Sequence, residues 1–176
     1  MRKFLMTILV SVLFLSVTGC FGGNADDPAK DFDAERVIEL ANEMHDKMDI
    51  DFMVEVTDRS DVENDMLEML TFLKNVEKVD FVVTADAMIM TIPYSVVFIK
   101  TTDGADIDAM KQEIIDNVDH AKWICAWSEI AYVTNYGSLI ILIMAEQAEA
   151  DKAYAALSSS VTGELGTRLQ DVNDTL

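Results

Sequence analysis

The sequence holds 32 aspartates and glutamates in 176 residues, so most of the chemistry open to it is carboxylate chemistry. Two groups of acids are dense enough to gather a hard cation, which takes several carboxylate oxygens at once. Asp103, Asp106 and Asp108 stand in "DGADID", and Asp58, Asp61, Glu63 and Asp65 stand in "DRSDVEND". Neither has the loop with a bend glycine and a closing glutamate that an EF-type calcium site needs. Their spacing fits turns and helix starts instead, where short acids accept backbone N–H bonds and complement the helix dipole. Asp103, Asp106 and Asp108 are kept as weak calcium candidates. A hydrolase built on paired carboxylates needs two acids brought together, and nothing in the spacing selects a pair. The histidines, His45 and His120, show no zinc-site spacing, and a helix C-terminus that tolerates a cation accounts for both. Ser158, Ser159 and Ser160 have no histidine near them in sequence, and no Gly-x-Ser-x-Gly, Ser-x-x-Lys or glycine-rich phosphate loop is present. No catalytic residue is assigned and no cofactor is expected.

The two cysteines carry different messages. Cys20 closes an apolar run. Met1-Arg2-Lys3 is followed by Phe4 to Val17, interrupted only by small uncharged Thr7, Ser11 and Ser16. Two cations before such a run is the layout of a secretory signal, and the run is shorter than the ~20 residues of a spanning helix. It ends in Val17-Thr18-Gly19-Cys20: aliphatic, small, glycine, cysteine. The stretch resembles the lipobox of bacterial lipoprotein precursors. The resemblance implies that the Cys20 thiol carries a diacylglycerol, that residues 1–19 are cleaved off, and that the mature protein sits lipid-anchored on the extracytoplasmic face of the cell membrane. Two acyl chains hold where one is marginal.

Removing residues 1–19 takes Arg2 and Lys3 and no acid, leaving 11 Lys and Arg against 32 Asp and Glu; the net charge goes from −19 to −21. A field of that sign repels nucleic acid and anionic headgroups, and favours cationic partners or divalent cations. Cys125 is then the remaining thiol, so no intramolecular disulfide forms and the fold rests on its apolar core. In "KWICAW" it reads as a small buried hydrophobe rather than a redox residue, since no second cysteine can resolve an oxidised state. The flanking Trp123 and Trp127 read as core, with a ligand groove or a headgroup contact as the alternatives.

The elements that must position these groups follow from periodicity. Residues 20–30 are a lipidated cysteine and a short tether, rich in Gly, Asn, Asp and Pro. A helix is predicted over 33–48, with Val37, Leu40, Ala41, Met44 and Met48 on one face and Asp31 or Asp33 as cap. A strand over 50–56 follows, then a helix over 61–75 opened by a capping box, Ser60 to Glu63. Strands are predicted over 79–90 and 94–102, a helix over 105–121, a hairpin of 129–135 and 138–145 turning at Gly137, and a helix over 146–163. Residues 164–176 read as a polar tail. The fold class is α+β: residues 31–163 form a single domain, a mostly antiparallel sheet with helices packed on one face.

Tyr94 to Glu146 also resembles a Gram-positive family of uncharacterised small lipoproteins, a domain of unknown function. The likeness lies in the strand "SVVFIK", the helix "DIDAMKQEIIDNV" and the hairpin "AYVTNYGSLIILIM", about a third of the chain. Members commonly carry a Tyr-Pro pair where this chain has "KWICAWSEI". The resemblance implies fold and location and no activity. The expected function is a binding or scaffold module at the cell envelope, held on the membrane and meeting a cationic or envelope protein partner. A small carboxylate-based envelope hydrolase and a calcium-dependent module are the alternatives.

Overall fold

The computed structural model describes residues 27–123 and 125–174. The expected signal segment, Cys20 and residues 21–26 of the expected tether lie outside the described residues. Among the described residues the order is α1 (Ala34–His45), β1 (Val54–Asp58), α2 (Asn64–Thr71), β2 (Val79–Ala87), β3 (Ser95–Thr101), α3 (Ile107–Asn117), β4 (Ile130–Tyr136), β5 (Leu139–Ala145), α4 (Gln147–Ser160) and β6 (Leu169–Val172). The strands lie side by side as β1-β2-β3-β5-β4-β6, every pair antiparallel. The domain is α+β, as the sequence predicts.

The helices divide between both faces of the sheet rather than packing on one. The reason is written in the two central strands. "SVVFIKT" and "LIILIMA" are buried at every position, and a strand with no polar alternate residue needs cover on both sides. Val96 and Phe98 lie beside Ile143 and Ile141 on the first face, where α1 and α4 cover them with Val37, Leu40, Ala41, Ala153 and Leu157. Val97 and Ile99 lie beside Leu142 and Ile140 on the second face, where Leu73, Val76, Met110 and Ile114 close over them. Alternation is present in β3, but both of its registers are apolar.

Helix starts use the acids largely as expected. Asp33 accepts from Arg36 N at 2.8 Å and Asp106 from Ala109 N at 3.1 Å. The capping box does not form. Ser60 turns its N–H (2.8 Å) and hydroxyl back onto Asp58, and Glu63 becomes the N-cap of α2 without a side-chain bond. A local side-chain turn has outcompeted the cap.

Two segments expected to be loose are built in. The polar tail supplies β6, which pairs with β4. Thr134 donates to Gly166 O at 2.9 Å, and the Arg168 guanidinium lies 4.2 Å and 4.6 Å from the Tyr132 and Tyr154 ring centres. An edge strand needs one ladder and little apolar surface, so Leu169 and Val172, three residues apart, give no alternating period. At the other terminus, Asp27 accepts from Ser138 N (2.9 Å) and Ala29 N (3.0 Å). Ala29 is fully buried, and the buried Lys100 donates to Ala29 O (2.7 Å) and to the Ser138 hydroxyl. The domain thus includes Asp27 and extends at least to Val172.

Gly137 opens the β4–β5 turn with φ +57°, and a Cβ there would lie 1.8 Å from Asp27 Oδ1. Gly104 has φ +75° with open space around it. Gly104→Ala is expected to cost about 1–2 kcal/mol from the backbone alone. Gly137→Ala should cost at least ~1 kcal/mol more, because the methyl also displaces the Asp27 carboxylate from its partners. Chemical denaturation of both variants checks this; equal losses would contradict it.

Candidate functional site

With both faces covered, the ends of the sheet are where side chains meet solvent. One end holds the β4–β5 turn, the β3 C-terminus and Asp27. The other holds the starts of β1, β3 and β4 and the ends of β2 and β5. At this second end Val54 pairs with Ala87, and Met88 N donates to Met53 O at 2.9 Å. The chain then turns tightly, with Ile92 N bonded to Ile89 O and Tyr94 N to Ile92 O. The turn pushes Met88, Ile89 and Met90 outward beside Met53. Trp127, three residues before β4, joins the same end. These five side chains are 49–70 % exposed, and among the described residues the other exposed large hydrophobics are Met66, Met69 and Val172.

Next to them is a cavity of about 160 Å³. Its floor is apolar: Phe52, Ile92, Pro93, Tyr94 and Ala145. Its rim is acidic: Asp51, Glu146 and Glu149, the last two at the start of α4. That space suits one long side chain or a small amine, and the rim favours a cation.

The floor is held from beneath. The Tyr94 ring packs on Phe52 (5.1 Å) and edge-on against His45 (5.7 Å). His45 Nδ1 lies 2.6 Å from Ala41 O and Nε2 2.7 Å from the Tyr94 hydroxyl. A carbonyl can only accept, so Nδ1 carries the proton and Nε2 accepts from Tyr94. Both ring nitrogens are committed inside the protein, and His45 positions Tyr94 rather than facing the cavity.

The other residues singled out from sequence are dispersed. Asp106 caps α3, Asp108 pairs with the buried Lys111 (2.9 Å), and Asp103 sits in the turn before them. Asp58 is taken by Ser60. Among the described residues no three His, Cys, Asp or Glu side chains are grouped as a metal site. Ser159 and Ser160 donate to Ala156 O, and Lys47 closes the α4 C-terminus by donating to Ser159 O at 3.0 Å. Cys125 is exposed, against the expectation of burial. From Ala126 onward the link alternates, with Ala126, Ser128 and Ile130 inward and Trp127 and Glu129 outward. Trp123 packs against the second core beside Lys122, as expected, whereas Trp127 is turned out.

One constellation has no sequence signal at all. Ser128 Oγ lies 2.7 Å from His120 Nδ1, and His120 Nε2 lies 3.1 Å from Asp171 Oδ2. The residue types and distances are those of a nucleophile, a base and an orienting acid. Ser128, however, is fully buried, and an attacking hydroxyl must be reachable. Ser128 N donates to His120 O and Asn173 Nδ2 to Ser128 O. The group acts as a clasp that fastens the 118–129 link to β6. The three residues are brought together only by the pairing of β6 with β4.

Comparison with protein-family models, with curated proteins and with solved structures finds no match. Among the described residues no helix is long and apolar enough to cross a membrane.

Burial holds the His45 imidazole below its ordinary value, against the raising effect of the Ala41 carbonyl and of Asp46. The unfolded chain takes up this proton near pH 6.5 and the folded chain resists it. Stability is therefore lost as pH falls from about 6.5 toward the lower folded value. His45→Gln should shallow the stability loss between about pH 7 and about pH 5 in denaturant titrations; an unchanged slope would contradict this.

Proposed function

We propose that this protein is a lipoprotein held by lipid on Cys20 at the outer face of the cytoplasmic membrane, where it binds a cationic partner rather than transforming a substrate. The observation that carries this reading is the polarity of the domain. Asp27, seven residues from Cys20, is fixed to the β4–β5 turn at one end of the sheet. Seven extended residues reach at most about 25 Å. The exposed apolar side chains and the acid-rimmed cavity gather at the opposite end, about 23 Å away along a seven-residue strand. A lipid at Cys20 would then hold the Asp27 end within about 25 Å of the bilayer, with the apolar side chains and the cavity at the opposite end of the sheet.

Binding is favoured over hydrolysis by the setting of the acids. Asp51 and Glu146 stand exposed at the rim of the cavity, open to a cationic side chain rather than enclosed around a bond to be cut. The net charge of −21 after cleavage supports a cationic partner and opposes nucleic acid. Two acyl chains on a sulfur would account for retention at the membrane without a spanning helix.

Cys20→Ser should abolish incorporation of labelled fatty acid and leave the protein unprocessed or shed into the medium. Equal labelling of the variant and the wild type would refute the anchor.

A further inference from the structure

We infer that the membrane-distal end of the domain is a docking surface for a basic amphipathic segment of a partner protein, whose apolar face covers Met53, Met88, Ile89, Met90 and Trp127 and whose lysine or arginine enters the acid-rimmed cavity. This rests on the proposed binding role and names the chemistry of the partner.

The surface has the make-up of an adaptable binding site. Met53 and Met88 are joined by a backbone hydrogen bond, and Ile89 and Met90 continue the same turn. Met53, Met88, Ile89 and Met90 form one cluster of large exposed apolar side chains, and Trp127 stands exposed at the same end of the sheet, before β4; a cluster of this kind calls for cover. Methionine is unbranched and polarizable, so it fits apolar faces of differing shape. Trp127 adds one large ring with an N–H at its edge.

Charge selects the occupant. Asp51, Glu146 and Glu149 line the cavity, and Glu129 accepts from Gln147 N beside them. The lysines at this end are already engaged. Lys122 donates to Ser95 Oγ at 2.8 Å and lies 3.9 Å from Asp86. Lys152 donates to Asp49 O at 2.9 Å and lies 3.7 Å from Glu149. A second copy would bring one acidic rim against another, each on a body of net charge −21. A bilayer is disfavoured by the same charge and by the position of Asp27 at the far end of the sheet. A segment with apolar residues on one side and cations flanking them satisfies both the patch and the rim.

The test uses the full lipidated protein in nanodiscs of neutral phosphatidylcholine, with an 18-residue helical Leu/Lys peptide as probe. A scrambled peptide of the same composition and empty nanodiscs serve as controls. The amphipathic peptide should bind, shift the tryptophan emission to the blue, and weaken several-fold as salt is raised from about 0.05 to about 0.5 M. Met88→Ser, Ile89→Ser and Met90→Ser combined should lower affinity at least tenfold, and Glu146→Gln with Glu149→Gln several-fold. All five positions are at the surface, and an unchanged melting profile verifies the fold. Equal binding by the scrambled peptide, full binding by the triple variant, or no binding at about 0.1 mM peptide would overturn the proposal. So would a blue shift with vesicles alone that the triple variant loses, which would make the surface a membrane contact. Self-association lost in the triple variant would overturn it in favour of a second copy. Labelling of Cys20 is read separately: labelled protein that ignores the peptide defeats the docking surface alone, and unlabelled protein that binds it defeats the anchor alone.

Discussion

Strands β3 and β5 leave no side chain for solvent, and everything else in the molecule adjusts to that. Each carries apolar residues on both registers, so each face of the sheet must be roofed. Small residues make the first roof thin: Ala150, Ala153 and Ala156 let α4 lie close to the sheet and to α1. The second is assembled from α3 and the segment after α2, whose last turn ends with Phe72 in the left-handed region at φ 59°. A sheet closed on both faces has no broad concave surface to offer. Recognition is driven to the ends of the strands and to the loops that join them.

The two ends are then set apart by how the chain enters. Lys100 is buried on β3 and satisfies its ammonium with Ala29 O and the Ser138 hydroxyl, beside the Asp27 carboxylate. Burial works against ionisation of Asp27, but the bonds from Ser138 and Ala29 and the charge of Lys100 outweigh it and hold its carboxyl below the usual range. A buried ion with all its partners in place is costly to disturb, since removing one partner strands the other. Gly137 makes this possible by leaving room for Asp27. Asp27 is consequently fixed in place, and the end of the sheet opposite to it is left open to solvent.

Much of this fold is legible in the sequence, and the misses have physical causes. Helix and strand positions follow from periods of 3.6 and 2, and the hairpin turn from Gly137. The expectation of helices on one face fails because Val97 and Ile99 in one register of β3 and Val96 and Phe98 in the other are equally apolar, so both faces need cover. β6 escaped notice because edge pairing is a backbone interaction that "LQDV" barely advertises. The capping box failed because Asp58, two residues before Ser60, offered its hydroxyl a nearer partner. The expected burial of Cys125 follows from residue type alone, while its exposure depends on which register the link takes into β4. The candidate site is the least legible part. Its floor draws on residues 52, 92–94 and 145, and its rim on 51, 146 and 149, and no spacing rule joins segments so far apart. Residues 88–90 read in sequence as a continuation of the strand that ends at Ala87, since an apolar run gives no sign of whether it will be covered.

The proposed anchor would give the domain a held end at Asp27 and an open end opposite to it. Fluorescent labels placed by Asp103→Cys and Ile89→Cys, each in a Cys125→Ser background, would report on the two ends of the lipidated protein reconstituted in vesicles. A headgroup-linked quencher should quench the label at position 103, beside the Asp27 turn, and leave the label at position 89 unaffected. Quenching at position 89 equal to or stronger than at position 103 would contradict the account.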